Sequence, residues 1–261
     1  MIAAYEWFGF EMPDDELYGL IKNAGFDGVL LDWDARFNGL LRDNPEKARS
    51  AGLFIENIHT STFGANDLCM DNMDGAARLE HLLQCVSDCA AFDIPVMVVH
   101  LKQGFMPPSV NALELECLTR VTEKAERNGV KIACENTSDI TNLSFVFDKI
   151  RSPALGLCFD AGHAYCRNPF KDMLAAYGDR LFAVHLHDND GYKSGKREED
   201  QHKLPFDGTV DWPLVMKKIA ETGYKGSVAV EVENTEYKNV RPEELINEAY
   251  KRAVKLKSLM S

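Results

Sequence analysis

Residues 130–135 read Val130-Lys131-Ile132-Ala133-Cys134-Glu135. This short run begins directly after an Asn128-Gly129 turn signal and ends on a carboxylate. Side chains alternate between the two faces of a strand, so Glu135 shares a face with Ala133 while Ile132 points the other way. The pattern recurs downstream. Asp160 shares a face with Cys158, His185 and His187 share one with Ala183, and Glu231 shares one with Ala229. The opposite faces carry Leu157, Phe159, Phe182, Val184, Leu186, Val228 and Val230. Small and polar residues on one face, large apolar ones on the other, are what a closed barrel wrapped by helices requires.

Working outward, strands are expected at 2–7, 27–32, 53–59, 95–100, 130–135, 154–160, 181–187 and 227–232. Amphipathic helices are expected between them at 14–23, 40–51, 75–91, 109–128, 143–150, 169–177, 212–222 and 242–259. Several helices run into Gly25, Gly129 or Gly223, which suit a left-handed C-cap. Alternating strands and helices imply parallel pairing with right-handed crossovers. An open doubly wound sheet is the competitor, but its usual Gly-rich first turn is absent here, since Phe8-Gly9-Phe10-Glu11-Met12-Pro13 follows the first strand. The expectation is one (β/α)8 TIM barrel over residues 1–261, close to the roughly 250 residues typical of that fold.

Composition narrows the function. The net charge of −12 repels phosphate backbones, so nucleic acid is a poor partner. No apolar run approaches the roughly 20 residues needed to span a bilayer. The opening segment lacks a basic start and turns acidic by Asp14, so a membrane partner is not expected and a cytoplasmic location is. The seven cysteines form no CxxC pair and read as reduced core thiols.

Five of the seven histidines stand at or just past strand ends, as do several acidic residues. Glu135, Asp160, His187 and Glu231 end four successive strands with matching parity, and three carboxylates with one imidazole make a divalent-metal ligand set for Mn²⁺, Zn²⁺, Mg²⁺ or Co²⁺. A lone acidic residue after a strand is as readily a helix N-cap. Four in succession on one face favour the metal. His185 reads as an interior hydrogen-bonding residue and His81 as structural or solvent-exposed. Trp7, Trp33 and Phe63 are candidates for an apolar wall against a sugar ring, with core packing the competing role.

Around these residues, Cys134-Glu135-Asn136-Thr137, Asp160-Ala161-Gly162-His163, His185-Leu186-His187-Asp188-Asn189-Asp190 and Val230-Glu231-Val232 resemble the signature of the xylose-isomerase-like barrel superfamily. That group joins sugar and sugar-phosphate isomerases and epimerases to the apurinic endonucleases. Asp207-Gly208-Thr209-Val210-Asp211-Trp212 resembles the family's entry to its penultimate helix. The resemblance implies metal ligation by Glu135, Asp160, His187 and Glu231, with Glu233 the runner-up to Glu231. It implies substrate contact by His163. His59, His100, Lys193 and Trp7 are further substrate-binding candidates, and Asp200 and His202 candidates for additional metal. Lys193 stands where the epimerases carry an arginine and lacks its planar fork. The basic stretch Gly191–Arg197 could meet a substrate phosphate, although three acidic residues follow at once.

The expected activity is isomerisation or epimerisation of a small sugar or sugar phosphate. Glu135 and Glu231 would act as the acid–base pair, passing a proton through an enediolate that the metal stabilises. An inosose-type dehydratase and a multi-zinc apurinic-endonuclease-like phosphodiesterase are the alternatives. A sugar-binding barrel without activity is disfavoured by the intact pair of glutamates. A homo-oligomer is compatible with all of these.

Overall fold

Eight strands pair side by side, each beside its neighbour in sequence and the eighth beside the first, and every ladder between them is parallel. The computed structural model describes residues 1–34, 43–104, 107–137, 140–167, 169, 171–194 and 199–260. The strands are β1 (Ile2–Tyr5), β2 (Gly28–Trp33), β3 (Phe54–Thr60), β4 (Val96–Val99), β5 (Lys131–Glu135), β6 (Leu155–Asp160), β7 (Leu181–His185) and β8 (Val228–Val230). A parallel bridge between Leu186 and Val230 joins the two ends of the sheet and closes the barrel. All eight expected strands are present, each slightly shorter than or shifted by a residue from its sequence-based range.

The helices among the described residues are α1 (Asp14–Ala24), α2 (Asn44–Ser50), α3 (Met73–Ala91), α4 (Ala112–Arg127), α5 (Ile140–Lys149), α6 (Ala161–Cys166), α7 (Met173–Tyr177), α8 (Trp212–Glu221) and α9 (Pro242–Ser258). The start expected for the second helix, at residue 40, lies outside the described residues. Several others begin where side chains satisfy orphan backbone donors. Asn72 accepts from the backbone N–H groups of Asp74 and Gly75, Asn111 from Glu114, and Asp211 from Leu214. Gly25, Gly129 and Gly223 all have positive φ, as a C-cap needs. Helix α6 was not expected; Asp160 caps it, its Oδ1 taking the His163 N–H at 2.6 Å. No helix among the described residues is long and apolar enough to cross a membrane.

Two apolar clusters separate the inside of the barrel from its jacket. The larger packs outward-facing residues such as Ile132, Leu157, Phe159 and Val184 against the helices. The smaller contains Val96, Val98, Ala133, Cys158 and Ala183, which share parity with the acidic and imidazole residues above them. Small interior side chains therefore lie beneath the polar mouth. Six of the seven cysteines are buried and Cys69 is half-buried.

At the other end, the β2–β3 register shifts between Val29 and Leu30, leaving Glu56 as the extra residue of a bulge. Its carboxylate accepts from Ser227 N at 2.9 Å and Ser227 Oγ at 2.8 Å. Because β2 and β1 separate β3 from β8, these bonds tie the floor of the barrel across its width.

Glu6, just past β1, is another buried acid. Tyr18 Oη donates to its Oε2 at 2.5 Å and the Asp32 N–H to its Oε1 at 2.7 Å. Burial raises its pKa to about 8 despite those two bonds. The folded state thus holds a proton that the unfolded chain releases above about pH 4.3. Glu6 costs stability progressively as pH rises from there to about 8. Glu6→Gln removes this cost, so the Tm of the variant relative to wild type should climb between pH 5 and pH 8 in scanning calorimetry. A pH-independent difference would contradict the burial argument.

Candidate metal centre

Glu135 ends β5 at the C-terminal mouth of the barrel, 3 % exposed. Its carboxylate meets imidazoles from four different segments. His59 Nε2, His100 Nε2 and His185 Nδ1 lie 3.3, 3.2 and 3.3 Å from Oε2, and His163 Nδ1 lies 2.8 Å from Oε1. Strand alternation delivers His59 from β3 and His185 from β7, while His100 follows β4 directly. His163 comes from the first turn of α6, the helix that Asp160 caps.

Glu231 follows β8, and barrel closure sets it beside β7. Its N–H donates to Leu186 O at 3.2 Å, and its Oε2 lies 2.8 Å from His185 Nδ1. One imidazole nitrogen is therefore shared by the carboxylates of Glu135 and Glu231. Asp160 stands in register with His185 across the β6–β7 ladder. Asp160, His185 and Glu231 offer ligand atoms within 4.8 Å of one another.

A second group adjoins the first. His163, His187, Asp200 and His202 likewise converge within 4.8 Å. Asp200 Oδ2 lies 3.0 Å from His163 Nε2, and its Oδ1 lies 3.5 Å from His202 Nε2 and 3.7 Å from His187 Nε2. The rings of His187 and His202 stack at 3.9 Å, nearly parallel. His163 links the two groups, one nitrogen facing Glu135 and the other Asp200. Gly162 is required here by space: a Cβ would come within 1.9 Å of the His187 ring. That contact explains the glycine of the Asp160-Ala161-Gly162-His163 motif.

The charges are strongly coupled. Burial alone would raise the Glu135 carboxyl, but His100 and His185, with hydrogen bonding from His100 and His163, hold it well below the usual carboxylate range. Glu231 follows the same logic: burial raises it, and His185 and His202 overcome that and depress it. Asp200 is likewise driven down against burial by His163 and His202. Burial lowers His202, yet Asp200 and Glu231 lift it to about 10. His185 and His163 are also raised against burial, His185 by Cys158, Glu231 and Glu135, and His163 by Asp160 and Asp200. His100 moves the other way and falls, because desolvation outweighs Glu135.

These residues suit a divalent cation. Asp160 Oδ2, Glu231 Oε2, Asp200 Oδ1 and both ring nitrogens of His185 and His187 are buried and have no well-aligned hydrogen bond, although several lie within 4 Å of one another. Buried polar groups ordinarily find partners. Imidazole and carboxylate atoms that instead face common points have the donor chemistry of a metal site.

The residues expected to contribute stand as follows. Glu135, Asp160 and Glu231 come together. His187 reaches Asp160, at 3.2 Å, but groups with Asp200 and His202, while His185 fills the place between the two glutamates. His59, His100 and His163 all contact Glu135. Asp200 and His202 join through His163 and His187. Lys193 is exposed, its Nζ 3.8 Å from Asp190, and residues 195–198 of the basic stretch lie outside the described residues. Trp7 and Phe63 are exposed. Trp33 is fully buried and donates to Asp88 at 2.9 Å, a core role. His81 is buried on α3, 3.8 Å from Asp34. Glu233 is held off the first group, its N–H donating to His202 O at 3.0 Å.

A profile of the family described as xylose isomerase-like TIM barrel matches residues 19–256. An uncharacterized protein, y4fM of Sinorhizobium fredii, is 37% identical over 118 residues, covering 45% of this chain and 35% of that protein. An inosose isomerase of Bacillus licheniformis is 26% identical over 165 residues, 60% of this chain and 59% of that protein. The matches thus span about a third to three-fifths of the lengths of these relatives. Among solved structures, a zinc-bound IOLI protein superposes with a TM-score of 0.78 at 19% identity, covering 99% of this chain and 98% of that one.

His185, at the end of β7, and His187, just past it, can be told apart experimentally. Titrated with Mn²⁺ or Zn²⁺ alone, His185→Gln should lose affinity by more than about tenfold for the ion that also needs Glu135 and Glu231. His187→Gln should leave that ion in place and weaken a second one. Equal behaviour of the two variants in isothermal titration would overturn the division.

Proposed function

The chain belongs to the xylose isomerase-like TIM barrel family, and from that premise we propose a metal-dependent isomerase or epimerase of a small sugar, sugar phosphate or inosose-type cyclic polyol. The observation that carries this reading is the convergence of Glu135 and Glu231 on one His185 nitrogen, from strands on either side of Asp160. The match to an inosose isomerase supports the substrate class. Glu135, Asp160, His185 and Glu231 are the residues that would hold the ion. When bound, a divalent cation supplies Lewis-acid stabilisation of the oxygen charge that grows as a carbon-bound proton leaves.

The rest of the chemistry falls to side chains. Glu135 and Glu231 are both held ionised by their imidazole neighbours, so either can accept a proton from the carbon beside a carbonyl. The second glutamate takes a proton from solvent at the mouth and supplies it in return, and the first releases the abstracted proton to solvent to complete the cycle. Return to the opposite face of the same carbon gives an epimer, and return to the neighbouring carbon interconverts aldose and ketose. His59 and His100 flank Glu135 and are placed to hydrogen-bond substrate hydroxyls. The small interior cluster of Val96, Val98, Ala133, Cys158 and Ala183 closes the site from below and excludes water.

A second reading has one specific observation in its favour. His163, Asp200 and His202 offer a further ligand group beside Glu135, an arrangement suited to hydrolysis of a phosphodiester by several ions. The charge of −12 opposes a nucleic-acid substrate.

Incubation with ketoses and inososes in deuterated water tests the primary reading. Wild type with Mn²⁺ should incorporate deuterium beside the carbonyl, and Glu231→Gln should lower that rate by about 10²- to 10⁴-fold with the fold intact. No exchange with any substrate, together with cleavage of an abasic duplex and three zinc ions per chain, would favour the hydrolase instead.

A further inference from the structure

Asp188 carries a fully buried carboxylate whose hydrogen bonds go to residues outside the two ligand groups. It accepts four N–H donors. Asn189 N and Val210 N donate to Oδ1 at 2.9 and 3.1 Å, and Phe206 N and Trp212 Nε1 donate to Oδ2 at 2.8 and 2.7 Å. Its backbone is also engaged. Asp188 and Lys203 exchange both N–H···O bonds, each 2.9 Å, in an antiparallel bridge. The next residue extends the clamp: Asn189 O accepts from Thr209 N at 2.9 Å, and Asn189 Nδ2 donates to Gly162 O at 3.0 Å.

Every one of these partners from chain 203–212 lies just past Asp200 and His202. That stretch is strained at its start, since His202 and Phe206 both adopt positive φ, 45° and 75°. Non-glycine residues persist there only when their surroundings over-determine them. Gly208 has no room for a side chain: a Cβ would meet Asp188 Oδ1 at 2.3 Å and Asn189 O at 2.4 Å. The segment Asp207-Gly208-Thr209-Val210-Asp211-Trp212 is thus the receptor for the Asp188 carboxylate.

We propose that Asp188 is the positioning residue that fixes the strained 202–210 segment and so keeps Asp200 and His202 facing His163 and His187. The mechanism is electrostatic. A buried carboxylate needs several donors, and four backbone and indole N–H groups can satisfy it only with the segment in this one path. An amide at the same place turns one acceptor into a donor aimed at other donors. The consequence for metal rests on the reading above that the second group takes a divalent cation; the clamp itself does not.

Asp188→Asn tests both parts. Hydrogen–deuterium exchange of the metal-free protein should show the amides of Phe206 and Val210 exchanging at least tenfold faster than in wild type. Titration with Zn²⁺ alone should show the ion dependent on Asp200 and His202 weakened about ten- to hundredfold, with the ion at Glu135 and Glu231 unchanged. A merely structural residue would lower Tm and weaken both ions alike. Unchanged exchange, or faster exchange with both zinc affinities retained, overturns the proposal. If Asp188→Asn does not fold, Trp212→Phe removes a single donor and should give a smaller shift in the same direction; no shift would be equally decisive. A wild type that binds no zinc would sink the metal reading, and the amide exchange would still judge the clamp.

Discussion

A carboxylate buried at the mouth of a barrel must be compensated, and Glu135 is compensated by four imidazoles from four separate segments. Isolated, such an ion would be too costly to desolvate and would take up a proton instead. Surrounded as it is, Glu135 stays ionised, and each histidine is drawn toward it in turn. His185 then reaches on to Glu231, and His163 to Asp200. The site is therefore one connected electrostatic unit in which Glu135, Glu231 and Asp200 are pushed down and His163, His185 and His202 up.

The fold makes that unit possible by two geometric facts. Parallel pairing stacks strand ends at one level, and alternation sends every second side chain inward. Closure through Leu186 and Val230 then brings the last strand beside the seventh, so Glu231 meets His185 although 46 residues separate them in sequence. Small residues below the ligands leave the charged groups no direction to turn except toward one another and the opening above.

Much of this was legible in the sequence because two-residue periodicity is unambiguous when one face is small and polar. All eight strands and the interior parity of Glu135, Asp160 and Glu231 could be read that way. The division of labour between His185 and His187 could not. Both share parity, and only the point where β7 ends and the Leu186–Val230 bridge begins decides which ring lies between the glutamates. Helix α6 was missed because a single capped turn is too short for helical periodicity, although the Asp160–His163 spacing is its signal. The contacts of Asp188 are not legible locally, since its partners at 206–212 come together through a loop path that no local pattern announces.

The two bonds from Ser227 to Glu56 join positions 171 residues apart. Until the closing strand emerges during synthesis, any sheet formed by the first seven has two unpaired edges. Glu56 spends that interval as a charge with no lock to enter. The barrel is thus a vessel whose base is sealed by one of its last-made parts, and premature association of the exposed edges is the hazard this order of assembly carries.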